Sequence, residues 1–297
     1  MVRQIVAGVD GSPESTAAAA WAAREAVSEN VPLRLVHASR GPVGGTKRHL
    51  AKEMLVHVQT QLLETHPSLD ITTRMAEGSA TDALLEEARE AALLVLGSRG
   101  IGTLVGFLTG SVSLRTIGKA PCPVVLVRSG HADHEAQEPD PSGAPSAVTR
   151  GRPVVLALDL PAPGEELAEF AFQFAARHGA KLSIVHASPS APVYPYASGI
   201  PSMMMEIEDL EREEREEAAR LLNEALEPLR ARYPGVEAAV TAQTGTAGHL
   251  LVEAAREAGL LVVGRKIRDS VVGPHTGHVA HAVLHHAPSP VAVVPHH

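Results

Sequence analysis

The sequence predicts an α/β protein built of two tandem domains, each a five-stranded parallel sheet flanked by helices. Three observations predict it. The first is an internal repeat of short aliphatic runs. Ile5–Asp10 (IVAGVD) returns as Val154–Asp159 (VVLALD), and His37 of LRLVHA returns as His186 of KLSIVHA, both 149 positions on. Leu93–Gly97 (LLVLG) returns as Leu260–Gly264 (LLVVG), and Pro123–Val127 (PVVLV) as Pro290–Val294 (PVAVV), both at 167. Four strand-like segments thus repeat in order, with one step of 18 in the offset. The second observation is that helical periodicity fills the gaps between the runs, and strands alternating with helices imply parallel pairing with right-handed crossovers. The third is composition: 44% of residues are hydrophobic but only 3% aromatic, so the core is aliphatic, as suits a buried parallel sheet.

In order, the first domain reads as follows. A strand over Ile5–Asp10 leads to an Ala-rich helix over Ser15–Asn30, with Trp21 and Val27 on its apolar side and Ser12 or Ser15 as its cap. A strand at Leu33–Ala38, a helix at Leu50–Leu63 and a strand at Ile71–Met75 before Gly78 follow. Then come a helix at Thr81–Ala91, a strand at Leu93–Gly97, a helix at Ser111–Ala120 closed by Pro121 and Pro123, and a last strand. Ser129–Arg152 has one Val and no Leu, Ile or Phe, and reads as a linker. The expected domains are 1–128 and 153–297, with 129–152 between them and the insertion in the second.

The net charge of -8 excludes a broad electrostatic affinity for nucleic acid or anionic membrane, so any anionic ligand is held locally. No run reaches the length of a membrane span, and the N-terminal residues lack a signal-type apolar stretch. The single cysteine, Cys122, between two prolines, reads as buried and fits a reducing compartment. These points predict a cytoplasmic protein.

The segment with chemistry is Gly97–Ser111 (GSRGIGTLVGFLTGS), between a strand end and a helix start. Glycines there let backbone amides approach an anion, and the helix adds donors and a favourable dipole. No Gly-Lys-Ser/Thr follows, so it is not a Walker A loop. After Gly100-Ile101-Gly102 the third glycine comes at Gly106, one residue late for the dinucleotide fingerprint. A ligand-free glycine loop is the plain alternative.

The spacing Gly97-x2-Gly100-x9-Gly110-Ser111 resembles the nucleotide loop of the universal stress protein family, as do Val9-Asp10-Gly11-Ser12, Val36-His37-Ala38 and Cys122-Pro123-Val124. The resemblance spans nearly the whole chain as two copies. It implies Rossmann-like (adenine nucleotide alpha hydrolase-like) domains, pairing through the last strand, and ATP binding, alone or with Mg2+. Carried over by position, Asp10 sits near ribose and phosphates with Gly8 beside it. Ala38 meets the adenine, and Gly97, Arg99, Gly100, Gly110, Ser111 and Val112 wrap the phosphates and ribose. For Asp10 the alternative is a helix-capping role. On the loop argument, Gly97→Val is expected to abolish binding at the first site.

The second half departs from the pattern. The counterparts are Ala157, Asp159, Ala187, Gly264, Arg265, Gly277, His278 and Val279, but Ile267 replaces the middle glycine and His278 the serine. Either this site is lost, or Arg265, Lys266, Arg268 and His275 grip phosphate by charge in place of amides. The expectation is altered but retained nucleotide binding.

Other features have plain readings. His275, His278, His281, His285 and His286 are a candidate metal cluster, but a polar helix face explains them as well. His37 and His186 read as structural. Ser188–Ser202, with Tyr194 and Tyr196, reads as a solvent loop or a lid. Glu206–Glu217 reads as a solvated acidic helix face. No nucleophile elbow is present. The expected function is therefore an ATP-binding sensor or regulator in the stress response, with at most slow hydrolysis. The alternative is a nucleotide-independent dimeric scaffold. A homodimer and an intrachain pseudo-dimer both fit, with no nucleic-acid or membrane partner.

Overall fold

The computed structural model describes residues 4–39, 45–98, 110–128, 151–160, 164–189, 201–267 and 276–297. The first half runs β1 (Gln4–Gly8), α1 (Pro13–Glu29), β2 (Leu33–Ser39), α2 (Gly45–Thr65), β3 (Ile71–Glu77), α3 (Ala80–Ala88), β4 (Ala91–Ser98), α4 (Ser111–Ile117) and β5 (Val124–Arg128). The second runs β6 (Val154–Ala157), α5 (Glu165–His178), β7 (Leu182–Ser188), α6 (Pro201–Arg232), β8 (Ala238–Thr244), α7 (Ala247–Ala254), β9 (Leu260–Lys266), α8 (His278–His286) and β10 (Val291–His296). The alternation expected from the repeat is present in both halves. The step in the offset falls between the second and third strands of the repeat, where α6 has 32 residues against 21 in α2.

All ten strands form one sheet in the order β3-β2-β1-β4-β5-β10-β9-β6-β7-β8. Within each half every pairing is parallel; the single antiparallel pair joins β5 to β10. Its register is Val291 to Leu126, Ala292 to Val125 and Val293 to Val124, all six buried. The two halves therefore meet edge to edge as an intrachain pseudo-dimer. Each of the two last strands has a neighbour on both sides, so the join leaves neither as a free edge.

The helices form a layer on each face. One apolar cluster lies under α1, α2, α5 and α6, the other under α3, α4, α7 and α8. Local chemistry sets the ends of α1. Ser12 is the N-cap, its hydroxyl accepting from the Ser15 amide (3.2 Å), and Pro13 fills the first helical turn. Asn30 stops the helix in the left-handed region at φ 52°, with its amide returned to the carbonyls of Ala26 and Val27. The run of alanines on its buried face brings α1 close to β1, β4 and β5.

The scarce aromatic residues concentrate where α1 meets α5 across the join. Trp21 stacks on Phe174 at 6.2 Å between ring centroids, with the planes 2° apart. Beside them Glu25, 2% exposed, accepts from Arg177 Nη2 (2.7 Å) and pairs with His178 Nε2 (2.8 Å); Arg177 also reaches Glu29 (2.9 Å). Burial alone would raise the Glu25 carboxyl, but the hydrogen bond and charge of His178, then Arg177, more than offset it and hold the carboxyl below its ordinary value.

Two predictions follow from this cluster. Removing one partner of a buried pair leaves the other uncompensated, so Glu25→Ala should cost about 3 kcal/mol, read as a lower urea midpoint with little change in slope. The native carboxyl titrates below its unfolded value of about 4.3, so its contribution is present above that pH and is lost as pH falls through the native value. The melting temperature of the wild type should therefore drop more steeply than that of Glu25→Gln below about pH 4.

Candidate functional site

At the carboxyl ends of the strands each half opens into a cleft, where ligands sit in sheets of this kind. The first cleft encloses about 570 Å³, the second about 580 Å³, both within the range of ligand sites.

The first cleft gathers the predicted Gly8, Asp10, Ala38, Gly97, Gly110, Ser111 and Val112. Arg99 and Gly100 lie outside the described residues. Joining the predicted set are Ser12, Glu14 and Ser15 from the start of α1, and Ala80 and Leu84 from α3. Sequence reasoning treated Ser12 and Ser15 only as caps and did not place α3 at the site. The one available signal was the turn at Gly78, φ 112°, which swings the chain from β3 into α3. Glu87, buried on α3, then ties that helix down by ion pairs to Arg34 of β2 (3.2 Å) and to Arg74 of β3.

The two ends of the glycine segment are held together. The Ser113 hydroxyl donates to the Gly97 carbonyl at 3.3 Å, so Gly97 and Gly110-Ser111 open onto the same space. Gly110, the N-cap of α4, makes no side-chain cap bond.

Asp10 does not cap α1 itself; it steadies the residue that does. Its Oδ1 accepts from the Ser12 hydroxyl (2.6 Å) and the Ser12 amide (3.0 Å), and its own amide donates to the Ser15 hydroxyl (3.2 Å). Burial pushes this carboxyl up, but the bonds from Ser12 and Ser15 and the nearby His37 outweigh it, so Asp10 stays ionised well into acid.

His37 and His186 play one structural part twice. Their Nδ1 atoms meet the carbonyl oxygens of Val9 (2.8 Å) and Leu158 (3.0 Å). A carbonyl only accepts, so each Nδ1 carries a proton and pins the second strand of its half to the segment leaving the first.

Gly97 has a packing role that spacing alone did not reveal. A Cβ there would lie 2.5 Å from the Glu14 carbonyl carbon and 2.7 Å from the Ser15 amide nitrogen. The first turn of α1 rests directly on the end of β4. A Gly97→Val substitution therefore reports on packing before it reports on binding, and it does not serve as the binding test expected from the loop.

The second cleft brings together Ala157, Asp159, Ala187, Gly264, Gly277, His278 and Val279. Arg265 is the exception and corrects the expectation of a phosphate grip. Its side chain is buried and turned away from the cleft, donating to the Ala120 carbonyl of the first half. Strand alternation is the reason: Gly264 and Lys266 face the cleft, so Arg265 between them faces the opposite layer. Arg268 and His275 lie outside the described residues, as do Tyr194 and Tyr196 and all but the last two residues of the linker. Ile267 is exposed, and its amide donates to the His296 carbonyl at 2.7 Å, continuing the β9–β10 ladder. His296 and His297 line the cleft, and neither was placed there by the repeat.

Among the described residues no group of three His, Cys, Asp or Glu side chains is set to hold a metal ion. The rings of His281 and His285 on α8 lie 4.4 Å apart, tilted by 44°. Cys122 is buried, and burial pushes its thiol up to about 12, which leaves it no nucleophile. No described helix is long and apolar enough to cross a membrane.

The profile of the universal stress protein family matches residues 1–128 and 151–295. The chain belongs to the universal stress protein family. A universal stress protein of Mycobacterium tuberculosis is 30% identical over 305 residues, covering 97% of this chain and 96% of its own. Another, from Mycolicibacterium smegmatis, is 32% identical over 307 residues, covering 98% and 96%. The crystal structure of a universal stress protein from Archaeoglobus fulgidus shares the fold, with a TM-score of 0.65 at 16% identity and 98% of each chain covered. Relatives of similar length thus match 97% and 98% of this chain.

The packing at Gly97 makes a prediction. Gly97→Ala should destabilise the protein by about 2 kcal/mol, because the new methyl meets backbone that cannot rotate away. Gly110→Ala, where among the described residues the nearest atom to a Cβ is 4.0 Å off and φ is an ordinary -55°, should change stability by less than about 0.5 kcal/mol. Urea denaturation of the two variants checks the contrast.

Proposed function

We propose that this universal stress protein is a cytoplasmic adenine-nucleotide-binding regulator in the stress response, with ATP held in the first cleft and at most slow hydrolysis. The observation that carries the reading is convergence. Both ends of the glycine segment, clasped by Ser113, open onto the cleft that also holds Asp10 and Ala38. The cleft residues fit such a ligand: the small side chain of Ala38 leaves room for a flat base, and the Ser111 hydroxyl supplies a donor at the start of α4.

In this reading Ala38, at the end of β2, lies against the adenine, while Gly110 and Ser111 meet the phosphates through backbone and hydroxyl. Asp10 stays ionised beside them and serves either the ribose hydroxyls or a Mg2+ that accompanies the triphosphate. The ion would neutralise phosphate charge next to Asp10 and Glu14. The intrachain β5–β10 pairing supports the pseudo-dimer rather than a homodimer through the same strands, since neither strand has an edge left to offer.

A nucleotide-independent scaffold has one observation in its favour: the second cleft keeps the backbone frame but not the serines of the first. Titration separates the two readings. Calorimetry of the wild type with ATP should show saturable binding, and Ala38→Trp, which fills the adenine end of the first cleft, should remove that site while leaving the circular dichroism spectrum unchanged. An unaltered isotherm in Ala38→Trp, or no heat at all in the wild type, would exclude ATP from the first cleft.

A further inference from the structure

The two clefts share a backbone plan but differ in what lies over the glycine at the end of the fourth strand of each half. Over Gly97 it is the backbone of Glu14 and Ser15, the first turn of α1. Over Gly264 it is the ring of His296. A Cβ on Gly264 would lie 2.6 Å from His296 Nε2 and 2.8 Å from its Cδ2. On its other side the same ring meets the helix start. A Cβ on Gly164, the N-cap of α5 at φ 53°, would lie 3.1 Å from His296 Nδ1. One imidazole is thus bracketed by two glycines, and a side chain on Gly264 would displace the ring while one on Gly164 would crowd it. Its position is further set by the backbone: His296 pairs with Lys266 at the end of the β9–β10 ladder.

The surroundings of this ring differ in charge from the first cleft. The described lining of the first cleft carries Asp10 and Glu14 and no cation. The lining of the second carries Lys266 on β9, His278 on α8, His296 and His297 on and after β10, against Asp159 after β6. Glu165 and Glu166 stand in the first turn of α5, the helix whose start contacts the ring. The hydroxyl that clasps the first glycine segment has no counterpart, because Ala280 stands at the repeat position of Ser113. The second cleft has therefore exchanged neutral hydroxyl donors for groups that carry, or gain on protonation, positive charge.

We propose that the second cleft is a proton-dependent site for a multiply charged phosphate chain, with His296 as the residue that sets its selectivity. Nδ1 of His296 lies 3.2 Å from the His297 carbonyl oxygen, which leaves Nε2 of the protonated ring to donate to the anion alongside Lys266 and His278, and the site tightens as pH falls. The described residues of the first cleft include none of these groups, and that cleft does not respond in this way. The inference rests on the nucleotide reading above for the carrier of the phosphate chain, and the test separates the two.

The full-length Ala38→Trp protein, with its first cleft filled, is titrated by calorimetry with inorganic tripolyphosphate and with ATP at about pH 6 and pH 8. Binding should be at least about tenfold tighter at the lower pH. His296→Gln in the same background should cut that ratio to below about threefold, while the melting temperature at pH 8 is unchanged. In the wild type, the His296 ring signals in an NMR spectrum should move on adding tripolyphosphate at about pH 6, a readout that needs no variant. Equal affinity at the two pH values, a tenfold ratio that survives His296→Gln, or ring signals that stay put would each overturn the proposal. ATP binding at the first cleft with no tripolyphosphate binding at the second would overturn it and leave the nucleotide reading standing. Tripolyphosphate binding at the second cleft without ATP binding at either would do the reverse.

Discussion

The β5–β10 pair is the contact on which the rest of the structure depends. Each half is a parallel sheet that ends on an apolar strand, and such a strand left open would template aggregation. Three residue pairs in antiparallel register, all buried, close both edges at once. The same join sets the helices of the two halves against each other on both faces. On one face Trp21, Phe174 and the Glu25–Arg177–His178 group lock α1 to α5. On the other Arg265 of β9 crosses to the Ala120 carbonyl, and Arg128 of β5 crosses to the Leu284 carbonyl of α8. Each of these buried cations reaches a backbone acceptor in the opposite half, so they register one half on the other.

The join also fixes where the clefts point. Parallel strands within each half put all carboxyl ends of that half on one side, and the antiparallel pair turns the two sets in opposite directions. Each cleft is consequently built by its own half, and the two are free to diverge. They have done so at the same backbone position. The glycine at the strand end is closely covered in both, by the fixed α1 backbone in one and by a histidine side chain in the other. A shared residue type conceals two different packing problems.

Much of the site was legible in the sequence, for a physical reason. Strand period and helix period separate cleanly in an aliphatic chain, so strand ends are visible, and ligand residues in such sheets cluster at strand ends. Asp10, Ala38, Gly110 and Ser111 come together as their positions in the pattern imply. Arg265 does not, because motif position places a residue on the strand while the two-residue period decides which face it takes. Its neighbours Gly264 and Lys266 show that one step along β9 changes the destination from cleft to interface.

The sequence by itself determined the repeat, the order of elements, the aliphatic character of both cores and the residues that end each strand. All of these are local or periodic properties, written in the side chains of adjacent residues. Only the tertiary structure decided which strand edges meet, that the two copies pair within one chain, and what fills the space above Gly97 and Gly264. Those depend on atoms brought together from far along the chain, as His296 is brought to Gly164, and no local pattern encodes that distance.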